Sequence, residues 1–254
     1  MLKLLKKAVL ASLTLGMAAN VYAGTEQIKV GQEFARAQLL KEGVHHYLLY
    51  MKDGNSNTPL SIWKREIRFE NRDGKKLMHI TQRWDSNGKI NSTQWLDSWF
   101  EANTFQPISQ ERITEKEGKR VVEGFLFSAD KITGIPDLAD NTQKDLNVAS
   151  PETTFNFETD IELLQILPWA IGYGASINFY HPGGKTAPTR YLFKVVGEEK
   201  ILRAGKEIDC WKVSTDYNVP GTISTFWFAK DSQKMIKQES PLRDGKVIVK
   251  AMID

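Results

Sequence analysis

A mostly β fold, a curved antiparallel sheet or half-open β-barrel with one packed helix and a short N-terminal helix, follows from three observations. Short segments rich in aromatic and β-branched residues recur from His46 onward, Gly-, Asn- and Asp-containing turns separate them, and apolar and polar residues alternate within them. The chain of 254 residues is 41% apolar and 26% charged, the mixture of a globular protein rather than a disordered, collagenous or coiled-coil one.

Met1–Ala23 reads as a segment apart. Lys3, Lys6 and Lys7 precede the apolar run Ala8–Ala19, and Val21-Tyr22-Ala23 offers small residues where a signal peptidase reads. That run is well short of the ~20 residues of a membrane-spanning helix. A secretory leader cleaved after Ala23 is therefore expected rather than an anchor. The mature protein would be periplasmic or secreted and would not span a membrane, with a single β-rich domain over 24–254. With 34 basic and 31 acidic residues the chain carries +3, and the three leader lysines account for all of it. A neutral mature chain gives no support to a general polyanion binder, leaving only a local basic patch, so no nucleic-acid partner is expected. Cys210 is the lone cysteine, which excludes an intrachain disulfide and a Cys-based zinc cluster.

Gln32–Lys41 has helical composition, with Phe34, Ala37 and Leu40 spaced towards one face and Gly43 as a stop. Strands are predicted over Tyr47–Lys52, Leu60–Glu70, Lys76–Trp84, Ser92–Glu101, Thr104–Thr114 and Lys119–Ser128. In Leu60–Glu70 the set Trp63, Arg65, Ile67 and Phe69 opposes Lys64, Glu66, Arg68 and Glu70, the pattern of one buried and one wet face. In Lys76–Trp84, Met78, Ile80 and Trp84 oppose His79 and Arg83. Hairpins connecting such strands build an antiparallel meander. The polar stretch from Ala129 to Thr153 lacks periodicity and reads as a long loop. Asp160–Trp169 places Ile161, Leu164 and Leu167 on one face, with acids in the first turn and Pro168 as terminator, and so predicts the packed helix. Strands resume over Ser176–Tyr180, Thr189–Val196, Lys200–Arg203, Glu207–Asp216, Gly221–Lys230, Gln233–Glu239 and Lys246–Met252.

Motifs with a known mechanism are absent. Gly184-Lys185-Thr186 ends like a phosphate loop, but Phe179 stands where the leading Gly belongs, and Gly172-Tyr173-Gly174 lacks the third Gly of a dinucleotide fingerprint. His45, His46, His79 and His181 lack metal-ligand spacing, so neither metal nor cofactor is expected. No catalytic residue is nominated. Cys210 reads as a buried structural thiol.

Binding residues are nominated by chemistry. Trp95, Asp97 and Trp99, at alternate positions of one strand, set a carboxylate between two indoles, either desolvated as a ligand anchor or simply wet on an exposed face. Arg65 shares the apolar face of Trp63 and Ile67. It either snorkels to the rim or pairs a buried carboxylate or an anionic head group. Trp211 and Trp227 add to an aromatic surplus, in strands that are apolar on both faces, as in a curved sheet enclosing a small apolar ligand or a double-layered core without a cavity.

From Asp160 to Glu239 the chain resembles the bacterial envelope proteins grouped as domain-of-unknown-function family 3108. The carrying residues are Asp160-Ile161-Glu162-Leu163-Leu164-Gln165-Ile166-Leu167-Pro168 followed by Gly174, then Tyr191–Glu199, Ala204–Val213 and Thr225–Asp231. The resemblance implies an exported β protein with a strongly curved sheet around a helix, similar in architecture to the lipoprotein-localisation-factor fold that shelters acyl chains. It implies no catalytic residue.

Together these readings favour an exported periplasmic cell-envelope protein that binds or carries an apolar or amphipathic small molecule. The alternative is a structural or accessory envelope protein acting through protein–protein contacts, by strand addition for example. A hydrolytic enzyme ranks third, because no cluster of carboxylates or histidines supports one.

Overall fold

The computed structural model describes residues 24–88 and 91–254; the expected leader, 1–23, lies outside the described residues. The strands are β1 (Gly24–Ile28), β2 (Gly43–Asp53), β3 (Ser56–Arg72), β4 (Lys75–Asn87), β5 (Asn91–Glu101), β6 (Gln106–Lys116), β7 (Lys119–Phe127), β8 (Lys131–Gly134) and β9 (Asn147–Ala149). They continue as β10 (Phe155–Asn156), β11 (Tyr173–Tyr180), β12 (Thr189–Arg203), β13 (Lys206–Thr215), β14 (Ser224–Ala229), β15 (Met235–Pro241) and β16 (Val247–Met252).

Two antiparallel meanders, β2 to β9 and β11 to β16, join into one 16-stranded sheet where β16 pairs with β2. Tight turns set the hairpin registers. Asp73-Gly74 and Glu117-Gly118 each place two residues at positive φ between directly paired strand ends, the backbone that matches the strands' right-handed twist. The sheet curls until its ends meet. β9 pairs with β8 and β10 pairs in parallel with β11, so the segment from 147 to 156 bridges the seam. Phe125, Ile132, Val148 and Tyr180 pack across it, and Arg112 Nη2 donates to the Pro182 carbonyl at 3.3 Å.

The predicted strands are present; β2 to β5 and β11 run longer than expected, whereas β7, β14 and β16 are shorter, β14 spanning Ser224–Ala229 of the expected Gly221–Lys230. Thr189–Val196 and Lys200–Arg203 form a single strand, β12, whose register shifts between Val195 and Gly197. The stretch from Ala129 to Thr153 is shorter in loop than expected. It contains β8 and β9, and Asn141 pins the remainder, accepting from Gly124 N and Gln143 N at 2.9 Å each and donating to the Ile135 carbonyl at 2.8 Å. One buried amide there replaces the hydrophobic periodicity that sequence reading looks for.

The expected short N-terminal helix is not formed. Gln32–Lys41 holds only a three-residue 3-10 turn, Ala37–Leu39, without a side-chain N-cap. Tertiary contacts override helical composition here: Phe34 N donates to the Asn103 carbonyl, and Phe34 and Leu40 are both buried as the segment straps across one end of the barrel. Arg36 fastens the far side, its Nη1 3.3 Å from both the Leu167 carbonyl and Gln233 Oε1.

The packed helix is present. A 3-10 turn, Phe157–Thr159, leads into α1 (Asp160–Gln165), and the Asn156 side chain caps the entry by accepting from Glu158 N at 3.0 Å. Ile161, Leu163, Leu164 and Leu167 are fully buried against the concave face, together with Phe100, Phe193, Phe226 and Phe228. Each such side chain contributes roughly 1.5–3 kcal/mol. The helix plugs the barrel, and most of the interior is core.

Candidate functional site

At mid-height the plug is fixed by charge. Arg65, 2% exposed on the inner face of β3, donates through Nε and Nη2 to Glu162 of α1 at 2.7 and 2.6 Å. Its Nη1 meets Gln82 Oε1 at 2.6 Å and Nη2 also reaches the Glu158 carbonyl at 3.0 Å. Burial opposes the charge on Arg65, but the attraction and hydrogen bonds of Glu162 more than offset it and hold the guanidinium charged. The polar belt continues around the barrel, with Glu158 accepting from Gln110 and from Arg112 Nη1, and Arg112 Nε donating to Glu123 at 2.7 Å. Burial pushes the Glu158 carboxyl up despite these partners. Each of these groups is satisfied by another. They position the plug and leave little for a ligand.

Above the belt the barrel is different. The lower end, at the Asp73-Gly74 turn, is covered by the strap, with Phe34, Leu40 and Phe105 buried and a surface groove of about 550 Å3 beside Phe69 and Lys76. At the upper end the inward residues remain partly exposed: Trp63 and Trp84, cross-strand neighbours stacked at 4.1 Å, on one side, and Phe157, Tyr191 and Tyr217 on the other. Between these aromatic walls lie Lys250 of β16 and Asp160 of α1. The Lys250 Nζ sits 4.1 Å above the Trp63 ring. Among the described residues, no hydrogen-bond acceptor reaches it and no carboxylate lies within 4.0 Å. Desolvation pushes its pKa down to about 8, against the pull of Asp160. Asp160, 8% exposed, is pushed up by burial, with Lys250 and Arg65 opposing. Gln238, paired with Lys250 across β15–β16, buries an Oε1 that no donor meets.

The residues nominated from sequence do not converge on one place. Trp63 stands in the upper mouth. Arg65 takes the second of its expected options, a buried carboxylate partner, and with four donors engaged it is a strut. Trp95, Asp97 and Trp99 lie on the outer face of β5. The Asp97 side chain is 46% exposed and meets His79 Nε2 at 2.8 Å, while His79 stacks on Trp99 at 4.0 Å, so this carboxylate is wet rather than desolvated. Trp211 borders a surface groove of about 650 Å3 at the lower end, beside Pro168 and Trp169. Trp227 is buried on the outer face beneath Lys237 and Lys212, its Nε1 donating to Glu199 at 3.0 Å. Cys210 is buried, and desolvation pushes its thiol up to about 11, away from reactivity.

Lys250, Asp160, Tyr217 and Gln238 went unnominated. For Lys250 the local pattern points the wrong way: in Lys246–Met252 it alternates with Lys246, Ile248 and Met252 opposite the wholly apolar Val247, Val249 and Ala251, which reads as the wet face of a strand. Asp160 was legible only as a first-turn acid of a helix.

Fold and site together define a half-open β-barrel with an internal helical plug, a covered lower end and an aromatic upper mouth. The chain belongs to the family described as "Protein of unknown function (DUF3108)", whose model matches residues 46–254 and so takes in the first meander as well as the second. A crystal structure of a β-barrel-like protein of the DUF1849 family from Brucella abortus superposes with a TM-score of 0.55 at 10% identity, over 83% of this chain and 95% of that one. A DUF1329 family protein from Desulfovibrio piger matches at a TM-score of 0.33 and 11% identity, over 85% of each chain. No curated protein matches the sequence. Among the described residues no helix is long and apolar enough to cross a membrane.

Proposed function

We propose that the protein is an exported, periplasmic binding protein for an apolar or amphipathic small molecule, held at the upper mouth of the barrel. The observation that carries this reading is the asymmetry of the interior. Below the charged belt most large inward side chains are packed, Phe69 at the strap being partly exposed, whereas above it Trp63, Trp84, Tyr191 and Tyr217 all keep part of their surface open beside Lys250, which no carboxylate among the described residues meets within 4.0 Å. Aromatic walls with a few convergent polar groups are the usual make-up of a small-molecule site. The export step rests on the leader pattern of Met1–Ala23.

Native mass spectrometry of protein purified from the cell envelope without detergent tests both parts. The expected result is a chain beginning at Gly24 that carries a stoichiometric, solvent-extractable amphiphile. A chain that retains Met1–Ala23 contradicts export. A clean apo mass that stays unchanged with added envelope lipids contradicts the binding role and favours protein contacts.

A further inference from the structure

We infer that the ligand of the upper mouth carries an anionic oxygen head group, a carboxylate or a phosphate, and that Lys250 is its anchor. The inference rests on reading the mouth as a ligand site and names the chemistry that site would select.

At the upper mouth, among the described residues, Lys250 is the inward-facing cation that no carboxylate meets within 4.0 Å. Arg65 is held in a two-pronged pair by Glu162, and Arg112 is shared between Glu158 and Glu123. Among the described residues the face of Trp63 is the contact the Lys250 ammonium makes, with Asp160 attracting it from beyond contact distance, and a ring quadrupole satisfies an ammonium only in part. An ammonium presents three N–H donors, and taking them out of water without acceptors costs free energy that an incoming anionic oxygen returns.

The neighbours fit the same ligand. Asp160 is drawn towards its neutral form by burial, and an anion seated on Lys250 draws it further. The protonated carboxyl then offers an O–H to the second head-group oxygen, so that the two acids share one proton taken from solvent. Gln238 Oε1, buried without a donor among the described residues and paired across the strands with Lys250, could accept from the O–H of a singly protonated phosphate. The Trp63–Trp84 stack and the Tyr191–Tyr217 pair, with centroids 5.3 Å apart, flank this position and would receive the apolar part.

The test compares dodecanoate, dodecyl phosphate and the neutral monododecanoyl glycerol, measured by tryptophan fluorescence titration on the full mature chain and on Lys250→Met. Wild type should bind one or both anions about tenfold or more tightly than the neutral ester, the scale of one charge-assisted hydrogen bond. Lys250→Met should lose that preference while keeping its affinity for the ester. A preference for the carboxylate points to a fatty acid and one for the phosphate to a phospholipid or its fragment. Equal wild-type affinities overturn the anion inference alone, as does a preference that survives in Lys250→Met. Failure of all three amphiphiles to bind overturns the underlying reading as well. The wild-type comparison needs no variant to fold.

Discussion

Two cations face the interior of this barrel from the strands on either side of β2, Arg65 on β3 and Lys250 on β16, and the contrast between them separates architecture from function. Arg65 is met by a bidentate carboxylate, a side-chain amide and a backbone carbonyl, and it ties the plug to the sheet. Lys250 is met by an indole face and a carboxyl beyond contact distance. A buried charge with all its partners holds a fold together, whereas one kept without them costs stability and marks a place where something else binds. The two ends of the barrel repeat the contrast, one covered by the strap and the other lined by half-exposed aromatics.

The largest expected effect is at the strut. Glu162→Ala leaves the Arg65 guanidinium buried and unpaired and should cost about 3–5 kcal/mol in urea unfolding. A loss too small to resolve would break the distinction drawn between the two cations. The ends of the barrel come next. Phe34→Ala should cost about 3 kcal/mol, because it opens a cavity beneath the strap. Trp84→Ala, at the partly solvated mouth, should cost only about 1–2 kcal/mol, mostly its stack on Trp63. Similar losses at both positions would contradict a covered lower end and an open upper one.

Lys250→Met should leave stability at neutral pH equal to or above that of wild type, since it removes a desolvated charge rather than a pair. Its pH signature sharpens the point. Folded Lys250 holds its proton only up to about pH 8, and the unfolded side chain holds it to its ordinary 10.5. Between those values the unfolded chain binds more protons, so wild type should gain stability as pH rises from 8 towards 10. Lys250→Met should lack this gain. Above that range the raised pKa values of the buried Tyr47 and Tyr217 act in the opposite direction. The smallest effect belongs to Asp97→Ala. It removes a half-exposed carboxylate from a surface His79 pair and should change stability by no more than about 0.5 kcal/mol.

How far these features could be read in the sequence depends on whether they are local. Alternation and turn chemistry are local, so the strands and the two-residue hairpins were legible, and so was α1, whose apolar face and first-turn acids lie within one segment. The strap was misread because Phe34 and Leu40 are buried by a distant turn at Asn103, which composition does not contain. Asn141, which orders the stretch from Ala129 to Thr153, acts through backbone groups that leave no pattern in side-chain type. Arg65 was singled out correctly as a charge on an apolar face, yet its partner Glu162 lies 97 residues away. Lys250 lacks that signature, since it alternates with Lys246 opposite the apolar Val247, Val249 and Ala251, and only the pairing of β16 with β2 in the closed sheet turns it inward.

Where an amphiphile sits on the barrel decides between its two ends, and photo-crosslinking reads that position. A dodecanoate carrying a diazirine at its chain end, irradiated on the mature protein and mapped by peptide mass spectrometry, should label the segments around Trp63, Trp84, Tyr191 and Tyr217. Labelling concentrated on the strap 29–42 and Trp211, or on the outer face at Trp95 and Trp99, would contradict the assignment of the upper mouth as the binding site.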